Sequence, residues 1–378
     1  MIERIATEDL FPLDALHNHS ACVVEAPDGA LLTCWYRGSG ERTADDVRIL
    51  GARKAPGGRW SKPFPLADTP GFPDTNPVLA SDAKGRLWLF HAVQLANTWE
   101  STLLRYRRAR DWGRGDRPPR WDKDGVVLLR PDDNEFPKWF RERLADAWKP
   151  AADVATPEER ARLAEYLAKT SAAAQDKLTR RLGWFGRCHA FPVGDRMVLP
   201  LYSDGFDASL CAWSDDDGES WACSLPILGP APVQPSVLRR RDGTLVAYCR
   251  NNGPAPQRIL VSESRDDART WSPARHIGLP NPGSSVEGVV LADGRWLLCG
   301  NDTEEGRHSL AFWFSGDEGR TWSDAIPVER AEKGSGLSWH YPSLIQARDR
   351  TVHLVCSHFT PSGKTMRHYA YRVRGAGA

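Results

Sequence analysis

His19, His189, His340, Arg250, Arg307, Tyr341, Glu287 and the adjacent pair Asp45–Asp46 are the side chains here best suited to moving protons and holding an anion. Imidazole and carboxyl groups serve as general acids or bases, and a phenol can act as nucleophile or acid. A guanidinium holds a carboxylate through charge-assisted hydrogen bonds. Asn18, Arg42, Asp74, Gln234, Asn301 and Asp302 accompany them at matching places in similar segments of the chain. Binding alone does not require so many ionisable groups together, so the set points to an enzyme.

The elements that must position these residues are hairpins. Six segments read as an apolar strand, a turn near Asp-Gly and a second apolar strand, with turns near residues 29, 85, 194, 243, 294 and 350. Asp-Gly between β-rich runs is a strong hairpin signal. The start of the first strand and the end of the second lie at the same end of any hairpin. If the first strands line a common axis, all six such ends converge on one face as a polar pocket. Strand starts then supply Asn18, His19, Asp74, His189, Gln234, Glu287, His340 and Tyr341. Strand ends and the loops after them supply Arg42, Asp45, Asp46, Arg250, Asn301, Asp302 and Arg307.

Between the later hairpins runs a second pattern. It reads Ser214-x-Asp216-x-Gly218-x-Ser220-Trp221, Ser264-x-Asp266-x-Ala268-x-Thr270-Trp271 and Ser315-x-Asp317-x-Gly319-x-Thr321-Trp322. The tryptophans are 50 and 51 residues apart, a period that indicates a propeller or solenoid. Asp and Ser bond the turn backbone, Gly supplies a positive φ and Trp packs beneath. Degenerate copies stand at Trp60 and Trp121. The pattern predicts an all-β, six-bladed β-propeller of four-stranded blades, one domain over 1–378. The C-terminal RHYAYRVRG completes the last blade together with the N-terminal segment. A double-length gap before the third hairpin predicts a helical insertion over 132–183, between blades two and three. There, Thr156-Pro157-Glu158-Glu159 is a capping box, followed by Leu163, Leu167, Ala174, Leu178 and Leu182 at helical spacing. A lid over the pocket and a cover for a blade edge are both open roles for it.

A formal charge of +1 with dispersed Lys and Arg argues against nucleic acid as partner. No apolar run approaches the length of a membrane span. The eight cysteines show no metal-binding spacing and read as buried thiols packing inner strands. With no leader visible at the N-terminus, they suggest a cytoplasmic protein. The histidines show no spacing such as HExxH, so neither metal nor cofactor is expected.

On the three Asp boxes, the chain resembles the sialidase superfamily of β-propellers. That resemblance implies a carbohydrate substrate, three arginines that hold the sugar carboxylate, a Tyr paired with a Glu as nucleophile, and an Asp as acid/base. VAYCRNN resembles the segment supplying the second arginine, Arg250, and EEGRHSLAFWFSGDEGRTW the one supplying the third, Arg307. YPSLIQARDRTVHLVCSH is similar to the nucleophile strand, giving Tyr341, and GSGERTADDVRI resembles the acid/base loop, giving Asp45 or Asp46. Two positions depart from the family. His17-Asn18-His19-Ser20 stands where the first arginine is usual, and Gln234 where the Glu beside Tyr is usual. Gln cannot take a proton, which leaves Glu287, at the start of the next hairpin, as the base by position. The expected function is an exo-glycosidase acting on a terminal, acidic sugar. The alternatives are a non-catalytic carbohydrate-binding propeller, or a lyase acting on uronic-acid sugars with His and Tyr as base and acid.

Overall fold

The computed structural model describes residues 2–375. Six antiparallel sheets stand around an axis, each with its first strand innermost. Blade 1 is His17–Glu25, Leu31–Gly38, Arg48–Lys54 and Phe64–Ala67, and blade 2 is Asp74–Ser81, Leu87–Gln94, Thr102–Ala109 and Lys123–Val126. Blade 3 has a broken inner strand, Phe185–Gly186 and Phe191–Val193, both pairing with Arg196–Ser203, then Ala208–Ser214 and Ala222–Cys223. Blade 4 is Pro232–Arg239, Leu245–Asn251, Arg258–Ser264 and Arg275–Pro280; blade 5 is Glu287–Val290, Trp296–Gly300, Ser309–Ser315 and Ile326–Arg330. Blade 6 takes Ser338–Gln346, Val352–Thr360 and Gly363–Val373 from the end of the chain and its outer strand, Ile2–Asp9, from the beginning. Seven residue pairs between the first and last strands of the chain thus close the ring.

The Asp boxes form as their chemistry dictates. In the first, Asp216 accepts from the Ser220 backbone N–H at 2.9 Å and from the Ser214 hydroxyl at 2.8 Å, while Ser214 Oγ accepts from Gly218 N–H. Asp266 and Asp317 repeat the arrangement. Each box is at the end of the propeller opposite the converging strand starts, and its tryptophan reaches the preceding blade. Trp221 lies 5.8 Å from Phe90 and Trp322 lies 5.5 Å from Tyr248, centroid to centroid. The box therefore ties neighbouring blades as well as its own turn.

Two helices, α1 (Glu135–Val154) and α2 (Pro157–Gln175), occupy the expected insertion between blades 2 and 3. The Thr156–Glu159 capping box at the start of α2 is complete. α1 buries Phe136 and Phe140 against Phe206 of blade 3, and Trp139 Nε1 donates to the Pro226 carbonyl. Tyr166 of α2 donates to the Phe206 carbonyl at 3.4 Å. All eight cysteines are free thiols, and only Cys223 is more than marginally exposed. Among the described residues, no helix is long and apolar enough to cross a membrane.

Candidate active site

Strain marks the end of the axis where the strand starts meet. In the inner strands of blades 1, 2, 4 and 6 one extra residue interrupts the pairing, after His19, Thr75, Val233 and His340. Inside each bulge a non-glycine residue adopts left-handed backbone: Ser20 at φ 61°, Asn76 at 46°, Gln234 at 54° and Tyr341 at 52°. Such backbone costs on the order of 1–3 kcal/mol per residue and concentrates at functional sites. Here it brings three of those side chains together. Gln234 Nε2 donates to the hydroxyls of Tyr341 and Tyr202, each at 3.1 Å, and Asn76 Nδ2 donates to Tyr202 at 3.0 Å.

Tyr341 is the centre of the cluster. Its hydroxyl also accepts from Arg250 Nη1 at 3.2 Å, and its ring stacks on His19 with centroids 4.3 Å apart. Arg307 lies 5.5 Å from the ring centroid, and donates to the Gly283 carbonyl and to His340 Nδ1, both at 2.8 Å. Because arginine only donates, His340 Nδ1 must be unprotonated, leaving Nε2–H for the Ser338 hydroxyl at 2.8 Å. Burial, reinforced by Arg307, holds the His340 pKa well below the usual histidine value. Burial does the same for His19, with His340, His17 and Arg307 adding repulsion. The pocket thus combines two neutral imidazoles with two cations.

A second tyrosine lies beside the first. Tyr36 of blade 1, whose ring is 5.8 Å from His19, donates to Glu41, and His17 Nε2 is 3.4 Å from the same carboxylate. Burial works to raise the Glu41 pKa, but those bonds and Arg42 outweigh it and lower it. On the blade 3 side, burial raises Asp204 to about 6 despite Arg250 nearby. Below that value Asp204 is neutral and leaves Arg250 free for an anion; above it, the carboxylate competes. If the pocket holds an anion, its affinity should fall as pH rises through about 6. Asp204→Asn should flatten that limb of the profile, and an unchanged profile in the variant would exclude Asp204.

The loop between the second and third strands of blade 1 separates its two aspartates. Asp46 accepts from Ser39 N–H at 2.8 Å and from its hydroxyl at 2.6 Å, bonds that lower its pKa and brace the loop. Asp45 is exposed and accepts from Asn97 of blade 2 at 3.0 Å. Arg42 stands at the same rim, 6.0 Å from the Trp99 ring.

Other expected site residues are engaged elsewhere. Asn18 is buried, donating to Asp14 and accepting from Trp35 Nε1. Asp74 is buried against Thr69 and His91. Asn301 is buried and donates to the carbonyls of Ser309 and Trp339. Asp302 pairs with Arg330 and Ser309.

Glu287 does not bond Tyr341. Its Oε1 accepts from both the backbone N–H and the Nδ1 of His189, at 2.9 and 2.8 Å, deep in the axial channel. His189 Nε2 faces the Val23 carbonyl at 2.8 Å, so both ring nitrogens meet acceptors, as an imidazolium requires. Burial opposes that charge, yet Cys22 and Glu287 raise the His189 pKa well above the usual value. Sequence reasoning passed over the cation between this pair and the pocket. Arg187 is 1% exposed, lies 5.0 Å from the Tyr341 ring centroid and donates to the carbonyls of Ala21 and Pro342. Its place two residues before His189 on the broken inner strand was the available signal. A third arginine therefore stands under Tyr341, committed to backbone and not to the pocket. Among the described residues, no group of three or more His, Cys, Asp or Glu side chains could hold a metal ion.

Residues 29–130 and 171–354 match the model of the BNR repeat-like domain. No curated protein matches the chain. A protein of unknown function from Dyadobacter fermentans superposes with a TM-score of 0.70 at 14% identity, covering 99% of each chain. The Hadza microbial sialidase Hz136 superposes at 0.65 with 16% identity, over 93% of this chain and 65% of that one. The leech intramolecular trans-sialidase superposes at 0.66 with 13% identity, over 97% of this chain and 70% of that one. At such identities the likeness establishes the fold. Because the family match runs through all six blades and breaks where the insertion interrupts them, the chain belongs to the BNR repeat-like domain family.

Proposed function

We propose that this protein is an exo-acting glycoside hydrolase that removes a terminal acidic sugar. The observation that carries this reading is the Tyr341 hydroxyl, held by Arg250 and Gln234 beside the Arg307 guanidinium. Arg250 and Arg307 pair with the sugar carboxylate and so set the anomeric carbon against a phenol. A neutral nucleophile meets less repulsion there than a carboxylate would, a recognised exception to the two-carboxylate rule. Asp45 protonates the departing oxygen. His19, kept neutral and stacked on Tyr341, accepts the phenolic proton; a water deprotonated by Asp45 then displaces the phenol from the anomeric carbon, and His19 returns the proton to it.

The Gln234 substitution gives a direct test of the Tyr341 assignment. Gln234→Glu puts a carboxylate about 3.1 Å from the hydroxyl, where it can take the proton. A positioned general base contributes about 10²–10⁴-fold, so a rise in kcat of about tenfold or more is expected even with imperfect geometry. A variant that folds normally and gains nothing counts against Tyr341 as nucleophile.

A second reading has its own support. Among the described residues no carboxylate is bonded to Tyr341, whereas two neutral histidines and a Tyr36–Glu41 pair surround it. That set suits a lyase that abstracts a proton from a uronic-acid sugar and protonates the leaving oxygen. The deciding experiment is a screen of purified protein against chromogenic sialosides and uronides, with ultraviolet detection of unsaturated products. Release without unsaturation supports hydrolysis, and unsaturation supports the lyase. Silence with ligand-induced thermal stabilisation leaves a carbohydrate-binding propeller.

A further inference from the structure

Beneath the pocket, Cys22 belongs to a set of buried charges that the glycosidase mechanism does not use. Its Sγ lies 3.4 Å from His189 Nε2, and the Leu79 backbone N–H donates to it at 3.2 Å. The same Nε2 also faces the Val23 carbonyl, while Glu287 holds Nδ1. A thiol proton would have the Leu79 carbonyl at 3.6 Å as acceptor, whereas both N–H groups are closer to the sulfur and favour the anion. A thiolate also balances the buried charges around it. His189 and Arg187 are cations and Glu287 is an anion, and an uncompensated buried charge is costly. Burial would raise the Cys22 pKa, but the Cys34 thiol and His189 outweigh it and hold it well below the usual thiol value.

Cys34 is placed to trap an oxidised Cys22. The two are directly opposed on the inner strands of blade 1. Opposed residues of an antiparallel pair project to one face with Cα atoms about 4.5–5.5 Å apart, inside the range of about 4.4–6.8 Å for disulfides. Both thiols are buried, so only an oxidant close to water in size reaches them, past the His189 side chain, which is 20% exposed. We propose that Cys22 and Cys34 form an oxidation-sensitive dithiol whose oxidant is a small hydroperoxide. The Cys22 thiolate attacks the peroxide: an S–O bond forms as the O–O bond breaks, and the departing hydroxide takes the His189 proton and leaves as water. Cys34 then attacks the sulfenic sulfur. An S–S bond forms, the S–O bond breaks, and the Cys34 proton leaves with that hydroxide as water. The dithiol loses two electrons and the peroxide gains them. Closing the disulfide removes the Cys22 charge from the array that includes Arg187, 5.0 Å from the Tyr341 ring. None of this depends on the reaction assigned to the pocket.

Trypsin releases both thiols in one peptide, residues 5–37, which holds no other cysteine. The test exposes the folded protein to hydrogen peroxide, then denatures, alkylates and digests it for mass spectrometry. The 5–37 peptide should be two hydrogens lighter and unalkylated, while Cys211 and Cys249 are alkylated in theirs. Those two are fully buried thiols whose pKa burial raises, and they serve as internal controls. Cys34→Ser should stop at a Cys22 sulfenic acid that dimedone labels, and Cys22→Ser should leave Cys34 reduced. His189→Asn, shown to be folded by circular dichroism, should slow Cys22 oxidation about tenfold, since an unpaired thiol is only a few per cent thiolate near pH 7. An unchanged rate in that variant overturns the ion pair. Oxidation of Cys22 and Cys34 no faster than that of Cys211 and Cys249 overturns the dithiol. So does a sulfenic acid that persists in the unmodified protein, or oxidation of Cys34 in Cys22→Ser.

Discussion

Tyr341→Phe lowers kcat by on the order of 10⁴-fold and leaves the dissociation constant for an acidic glycoside within about threefold, if its hydroxyl is the nucleophile. The substitution removes one oxygen. It keeps the ring that stacks on His19 and lies beside Arg187 and Arg307. Arg250 and Gln234 lose an acceptor but remain able to donate to the substrate. Binding and turnover should therefore separate, a split that a purely structural role would not produce. Single-turnover kinetics and calorimetry on the same preparation read both quantities. Retention of full kcat would exclude the nucleophile role; parallel loss of affinity and turnover would assign Tyr341 to binding.

Glu287→Ala should cost about 3–5 kcal/mol of stability, the range for stripping a buried charge of its partner. Glu287 is 1% exposed and is bonded to His189, with the Arg187 cation also nearby. Glu287→Gln keeps an acceptor for the imidazole and should cost less, which separates charge from packing. The pH dependence has a defined sign. Burial would raise the Glu287 pKa, but His189 and Arg187 prevail and lower it, so its contribution is present above about pH 4.3 and lost as pH falls further. The raised His189 pKa makes its contribution complete below about pH 6.5 and progressively lost above it. The stability gap between the unmodified protein and Glu287→Gln should be widest between about pH 4.3 and 6.5. Denaturation midpoints across that range measure it, and a gap that does not vary with pH would show that His189 is neutral in the folded state.

Much of the fold could be read directly. The turns near Asp-Gly mark hairpins because each tip closes as a three-residue loop whose last residue needs a positive φ, and Gly29, Gly85, Gly243 and Gly294 take it. α2 was visible through its capping box, whereas α1 was hidden by two prolines. Pro137 falls in the first turn, where no intrahelical N–H bond is needed, and Pro150 lies inside the helix, where it removes one. Convergence of Arg250, Arg307 and Tyr341 was also legible, because it follows from strand direction alone.

The position of individual side chains was not legible. Counting along a strand assumes unbroken alternation, but the bulges at Ser20, Asn76, Gln234 and Tyr341 each insert one residue and reverse which neighbour faces the axis. By itself the sequence determined the blades, their boxes and the insertion, since turns, caps and periodicity act over a few neighbouring residues. Only the tertiary structure decided the partners. His19 meets Ser357 across 338 residues of chain, Tyr341 meets Gln234 across 107, and His189 meets Glu287 across 98. Those pairings arise from closing the ring, when side chains from distant blades compete for the same few hydrogen-bonding atoms around one axis.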